Sequence, residues 1–341
     1  VSVAPELPGY YAGLTPDAVL AAVESVGLIP DGRLLALNSY ENRVYRLGLE
    51  EPWHGGASGR PIAQVVVKFY RHGRWTDAQI REEHAFASEL AAAELAVAAP
   101  LQLRGDTLHV HAQFRFALFE CVPGMAPDLD RHGDRALLGR TLGRLHAVGA
   151  RRTFRHRVTL ASWRGGARAR EELLGRGRVP APLDAQYAQV SAQLVAAIAA
   201  CFQQVGSVRQ LRLHGDCHPG NILWQDTGPL FVDFDDSLTG PAVQDLWMFA
   251  AGSPDQMRRE WGELLDGYEQ FAHFDAAEVR LIEALRAMRM LNHAAWIAQR
   301  WSDPAFPRAF PWFGEPRHWE RHIHELREQL EALEDPPLLR V

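Results

Sequence analysis

Apolar and polar positions divide the chain into two kinds of pattern. Near the start, residues 15–26 predict a short helix: Thr15 can cap it, Pro16 suits the first helical position, and Val19, Leu20 and Val23 form an apolar stripe. After a turn at Pro30 and Gly32, "RVYRLGL" from Arg43 and "QVVVKFY" from Gln64 read as antiparallel strands joined by a Gly-rich connection. Residues 77–93 switch to a helical period, with Ile80, Glu83, Ala87 and Leu90 on one face. "HAQFRFALFECVPG" is strand-like again and stops at Pro-Gly, closing a small antiparallel sheet near residue 120. From there the pattern predicts helices over 136–147, an Ala-rich stretch around 182–204, 257–271, 276–300 and 317–333. The fold class expected is α+β, a sheet-rich small lobe followed by a larger, mainly helical one.

Composition adds bounds. A chain of 341 residues exceeds the size at which one hydrophobic core stops growing, which agrees with two lobes. Hydrophobic residues at 47% and charged residues at 23% are those of a globular chain rather than a disordered one. A formal charge of -6 argues against a nucleic-acid partner bound through a global field. Cys121, Cys201 and Cys217 form no C-x-x-C pair, which suits free thiols in a reducing compartment. The apolar stretch 194–202 is short for a membrane span, and the N-terminus lacks a charged segment followed by an apolar one. A cytoplasmic protein, without a membrane partner and monomeric, is expected.

The densest chemical signal is "LRLHGDCHPGNILW" followed by "LFVDFDD". Polar groups here sit on a loop between the apolar anchors Leu211, Leu213, Ile222, Leu223, Phe231 and Val232. Asp216 offers a carboxylate to receive a proton. Asn221, five residues on, and Asp233, twelve further, offer a sparse oxygen set of the kind Mg²⁺ takes together with water and phosphate. D-x-x-x-x-N is the spacing of a protein-kinase catalytic loop, and Asp-Phe-Asp stands where those enzymes carry D-F-G. One further residue is conspicuous: of 36 Lys and Arg residues, Lys68 is the only lysine.

The ordered set Lys68, Glu83, Asp216, Asn221 and Asp233 resembles the aminoglycoside phosphotransferase and choline kinase-like branch of the protein-kinase fold. Within it, "LNSYENRVYRL", "VVVKFYR", "GPAVQDLWM", "LRAMR" and "DPAFP" are similar to segments of the bacterial stress-response serine/threonine kinases. The resemblance implies an N-lobe over 1–119, a hinge at 120–124 and a C-lobe over 125–341. It implies an ATP-dependent kinase that uses Mg²⁺ and phosphorylates Ser or Thr of a protein substrate, with Asp216 and Asp233 as catalytic residues and Asn221 and Asp233 as metal ligands. Lys68 would contact the α- and β-phosphates, where a compact ammonium fits and a guanidinium does not. Glu82 and Glu83 both qualify as its helix partner; Glu83 is preferred because it shares the inward face. With no G-x-G-x-x-G present, "NSYENR" would cover the phosphates, and Ser39 could donate to one, or Ser39 and Asn42 could only shape the turn. Backbone groups of Glu120 to Val122 would receive adenine, and Asp245 would brace the catalytic loop through its N–H groups.

Other features are read more plainly. His214 and His218 flank Gly215 with Pro219 beyond, so they do not form the helical pair that binds zinc. Asp235 and Asp236 could add to the metal site, with a turn or N-cap role preferred. The nine arginines of 151–178 are taken as a solvated face or lid, or a contact for an acidic partner. Two alternatives stand beside the protein kinase. One is a small-molecule kinase of aminoglycoside, choline or homoserine type, whose cationic substrate would need a cup such as Trp247, Trp296, Trp301, Asp266 and Glu269. The other is a nucleotide-binding pseudokinase.

Overall fold

The structure, a computed structural model, describes residues 11–56, 59–160, 166–250 and 252–334. It packs as two compact units. The first comprises Val1–Pro127, Arg155–Arg157 and Gly220–Asp235; the second comprises Asp128–Phe154, Val158–Pro219 and Asp236–Val341. Residues 155–157 and 220–235, expected from chain order in the second lobe, therefore pack with the first.

In the first unit, α1 (Pro16–Ser25) starts where its cap predicts: Thr15 Oγ1 accepts from the Ala18 N–H at 3.2 Å, with Pro16 opening the helix. Strands β1 (Pro30–Ala36), β2 (Arg43–Trp53), β3 (Ile62–Phe69), β4 (His109–His111) and β5 (Phe114–Glu120) form an antiparallel sheet in the order β1-β2-β3-β5-β4. Successive side chains on β3 point to opposite faces. Val65, Val67 and Phe69 enter a core with Val19, Val23, Leu47 and Phe116. Lys68 points the other way, toward α2 (Asp77–Ala92), which follows a Thr76–Gln79 capping box. Tyr70, on the same face as Lys68, meets His84 of that helix at 2.7 Å.

Backbone bonds explain why 220–235 leaves chain order. Strands β7 (Ile222–Gln225) and β8 (Gly228–Phe231) form a hairpin. The hairpin is sewn to the first unit at both edges. Phe231 donates to Ala96 C=O at 3.0 Å and accepts from the Ala98 N–H at 2.8 Å, while Met125 and Trp224 exchange bonds of 3.0 and 2.7 Å. Gly124 permits the second contact, since a Cβ there would stand 2.7 Å from Leu223 Cβ.

The second unit carries α3 (Asp134–Gly149), α4 (Ala167–Gly175), α5 (Ala181–Val205), β6 (Leu211–Leu213) paired with β9 (Leu238–Gly240), α6 (Pro254–Tyr268), α7 (Ile282–Gln299), α8 (Ala305–Ala309) and α9 (Pro316–Glu334). The expected helix over 276–300 divides into a 3₁₀ segment, Ala276–Leu281, and α7. α5 is longer than its apolar run and reaches the length and composition of a membrane span. Its Tyr187, Val190, Leu194 and Ile198 form a buried stripe, and Tyr187 meets Trp319 of α9 edge-on with ring centres 5.8 Å apart.

Helices α3 and α6 touch backbone to backbone. A Cβ on Gly139 would lie 2.0 Å from Leu264 O, and one on Gly267 would lie 2.0 Å from Ala136 O. Neither neighbour is a flexible side-chain end, so Gly267→Ala should force the helices apart and cost about 1–3 kcal/mol. A denaturant midpoint unchanged by this substitution would refute the close packing.

Candidate active site

The strand alternation that aims Lys68 at α2 buries its ammonium. Lys68 Nζ donates to Asp233 Oδ1 at 2.8 Å and lies 3.3 Å from Asp235 Oδ1. Burial opposes the lysine charge, yet Asp233, Asp235 and Glu83 outweigh it and hold the group well above its usual range. Asp233 follows β8 by two residues, in the left-handed region at φ 59°, and its side chain is 52% exposed. Strain at a non-glycine residue of this kind is typical of functional positions. The Val232 N–H donates to Asn221 C=O at 3.0 Å, so the hairpin brings the ends carrying Asn221 and Asp233 side by side. An exposed carboxylate on a chain end paired with that of an asparagine suits Mg²⁺, which takes few oxygen ligands from protein and completes its shell with substrate phosphate and water. No cluster of three or more His, Cys, Asp or Glu side chains suited to a metal occurs among the described residues, so a substrate would have to supply the remaining ligands.

The helix carboxylate behaves differently from expectation. Glu83 does face inward and is buried, whereas Glu82 accepts from the backbone N–H groups of Arg155, His156 and Arg157. But no ion pair within 4.0 Å joins Glu83 to Lys68; the nearest cation to Glu83 is Arg157, with Nη1 3.8 Å from its Oε2. Burial pushes Glu83 up to about 7, and the two aspartates are the groups in direct contact with the lysine.

Asp235 does more than the turn role expected of it. It sits in a short 3₁₀ turn, yet its carboxylate is buried and takes Arg74, Lys68 and, at 3.1 Å, the Asn42 amide. Burial alone would raise this acid; the cations Arg74, Lys68 and Arg157 reverse that and hold it well below the carboxylate range. Arg157 donates to Asp235 C=O and lies 4.2 Å from the Trp75 ring centre. At this one residue the arginine-rich run is buried rather than solvated; Arg164 lies outside the described residues.

Ser39 closes its turn, Oγ donating to Asn42 C=O at 3.1 Å. Asn42 pins the same loop to Asp235 and also accepts from the Arg71 N–H at 3.1 Å. At the end of β5, Glu120 pairs with Val65, and the Cys121 N–H is spent on Gln64 C=O at 3.1 Å. Val122 lies one residue past that last ladder bond.

In the second unit, Asp216 lies on the loop leaving β6. Gly215 has φ 86°, and a Cβ there would meet Asp236 O at 2.1 Å, so only glycine fits. Asp245 braces this loop as expected, accepting from the N–H groups of His214 at 2.8 Å and Gly215 at 2.9 Å. His146 Nε2 stands 3.3 Å from the same carboxylate. Asp216 itself receives Arg289 Nη1 at 2.6 Å and has His218 Nε2 at 3.4 Å, two partners the sequence did not reveal. Of the tryptophans offered as a cup, Trp247 is buried and Trp296 packs edge-on against Phe306 and Phe310.

The turn bearing Asp245 is held by Glu278, whose Oε2 accepts from the Val243 N–H at 2.9 Å. Burial pushes Glu278 from 4.5 to about 7. The folded state therefore binds this proton more tightly than the unfolded chain, and stability contributed at low pH is lost as pH rises from about 4.5 to 7. Glu278→Gln should remove that slope and raise stability at pH 8 by up to about 3 kcal/mol. Parallel pH–stability curves for the variant and the parent would refute it.

Residues 33–282 match the model of the phosphotransferase enzyme family. The chain belongs to that family. This phosphotransferase is 42% identical over 325 residues to stress response kinase A of Escherichia coli (strain K12), with 95% of each chain covered. It is 41% identical over 327 residues to serine/threonine protein kinase RdoA of Salmonella typhimurium (strain LT2), again covering 95% of each. Among solved structures, amicoumacin kinase hAmiN is similar with a TM-score of 0.70 at 17% identity, covering 97% of both chains. A microcompartment-associated aminopropanol kinase is similar with a TM-score of 0.66 at 19% identity, covering 93% of this phosphotransferase and 97% of that chain. At these identities the two structures speak for the fold, the protein-kinase-like arrangement of an antiparallel sheet followed by helices.

Proposed function

We propose that this phosphotransferase is a serine/threonine protein kinase that moves the γ-phosphoryl group of ATP to a hydroxyl with Mg²⁺. The observation that carries the phosphoryl-transfer part is the buried Lys68 ammonium held 2.8 Å from Asp233. A lysine kept charged in a low-dielectric setting, next to an exposed carboxylate, is a ready receptor for phosphate and cation together. The choice of protein as acceptor is supported by likeness along nearly the whole chain to a named serine/threonine protein kinase, at more than twice the identity of the small-molecule kinases.

In this reading Lys68 leaves its aspartates to contact the α- and β-phosphates. Asp235 keeps Arg74 and Asn42 when Lys68 moves, so the exchange leaves no bare buried charge. Asp233 and Asn221 would hold Mg²⁺, which when bound neutralises charge on the β- and γ-phosphates. Ser39 and the loop pinned by Asn42 cover the phosphates, and backbone groups between Glu120 and Val122 receive adenine at a hinge spanning 120–124. Glu83 holds Arg157 behind the lysine. Asp216 orients the acceptor hydroxyl and takes its proton. The transition state of such a transfer is loose, so positioning and charge neutralisation supply most of the acceleration.

The test is acceptor choice. The wild-type enzyme with Mg²⁺ and γ-labelled ATP is offered a generic protein, choline, ethanolamine and an aminoglycoside in parallel. Label on the protein alone is expected; label on a small alcohol alone would overturn the protein-kinase reading.

A further inference from the structure

Arg289 is placed on α7 so that it meets Asp216, the group assigned above to take the acceptor proton. Nη1 donates to Asp216 Oδ1 at 2.6 Å, and this is the only polar contact of Arg289 among the described residues. A guanidinium carries five N–H donors in a planar fork that matches a carboxylate with two parallel bonds. Here most of the fork is unspent, and the side chain is 42% exposed. Two histidines stand near this pair. His218 Nε2 stands 3.4 Å from Asp216, and His293 lies one turn beyond Arg289 on α7, close enough to feel both charges. The acid of this helix, Glu283, is engaged with Arg286 at 3.1 Å and with Gln329 of α9 at 2.8 Å.

These surroundings are wrong for a cationic alcohol. An ammonium placed beside Asp216 would meet the Arg289 guanidinium, and two of the aromatic rings that might cage it are committed: Trp247 lies under Arg286, 5.1 Å from its guanidinium, and Trp296 packs among Phe306 and Phe310.

We propose that Arg289 selects acceptors in which an acidic residue flanks the serine or threonine. Resting on the protein-kinase reading, this assigns Arg289 two successive partners. Before substrate arrives it pairs with Asp216. A carboxylate of the incoming peptide then takes the fork bidentately, and Asp216 is released to accept a hydrogen bond from the hydroxyl. One charge-assisted bond replaces another, so the exchange has little intrinsic cost, whereas a neutral or basic flank leaves Arg289 on Asp216.

The experiment uses the full chain and three serine peptides identical except for Glu, Gln or Lys beside the acceptor. Wild type, Arg289→Gln and Arg289→Glu are compared by kcat/KM, with thermal melts to show that each variant is folded. The wild type is expected to favour the Glu peptide over the Gln peptide by about ten-fold, a ratio that Arg289→Gln abolishes and Arg289→Glu turns toward Lys. A wild type indifferent to the flank, or variants that lose all three peptides in the same proportion, would overturn the inference and leave the kinase reading standing. Should a variant not fold, the ratio and its weakening by salt in the wild type decide. A wild type that labels no peptide while still binding ATP would overturn the kinase reading and this inference with it.

Discussion

Asp216→Asn is expected to bind ATP as the wild type does and to lose turnover by about 10²–10⁴-fold. The substitution keeps the size of the side chain and an oxygen for Arg289, and it leaves untouched the Asp245 bonds at 2.8 and 2.9 Å that shape the loop. What it removes is the capacity to accept a proton. Nucleotide titration beside steady-state transfer separates the two effects. Normal turnover would exclude Asp216 as the base, and a parallel loss of ATP affinity would mean that the substitution had disturbed more than proton transfer.

Lys68→Met should be the second most damaging change, and it should act on binding as well as rate. Methionine fills the buried stem volume but withdraws the charge that Asp233 and Asp235 share. Removing one partner of a buried ion pair costs about 3–5 kcal/mol, and because Asp235 retains Arg74 and Asn42 the low end applies. Asp233, half exposed, regains water and adds little. Activity should fall by about 10²-fold or more, with KM for ATP raised, since the ammonium would touch phosphate in the ground state and the transition state alike. A folded Lys68→Met protein with unchanged KM for ATP would disprove the phosphate contact.

What was legible in the sequence had local causes. Lys68 could be read because strand alternation and its solitary chemistry both single it out, and Asp216, Asn221 and Asp233 because their spacing on one loop and hairpin is the signal. The inward face of Glu83 followed from the 3.6-residue period of its helix. Its distance from Lys68 did not, because it depends on Asp235 and Arg157 competing for the same charges. Asp235 looked like a turn residue since the residues that bury its carboxylate, Asn42 and Arg74, are 193 and 161 positions away. Arg157 was hidden in a run of arginines whose composition says solvent, and Arg289 lies 73 positions from Asp216 on a helix whose periodicity describes packing, not partners. β1 escaped as a strand for a different reason: beyond Pro30 it is only partly buried or exposed, so it shows no alternation to read. Likewise the placement of 220–235 with the first unit rests on backbone bonds to 96–98 and Met125, which leave no trace in side-chain pattern.

The most direct test of protein phosphorylation is the identity of the phosphorylated residue. A protein substrate labelled from γ-labelled Mg-ATP by the wild type, with Asp216→Asn in parallel, is hydrolysed and its phosphoamino acids are separated. Phosphoserine or phosphothreonine from the wild type and none from the variant is the expected result. Equal label from both, or ATP binding with no phosphoamino acid from the wild type, would contradict it.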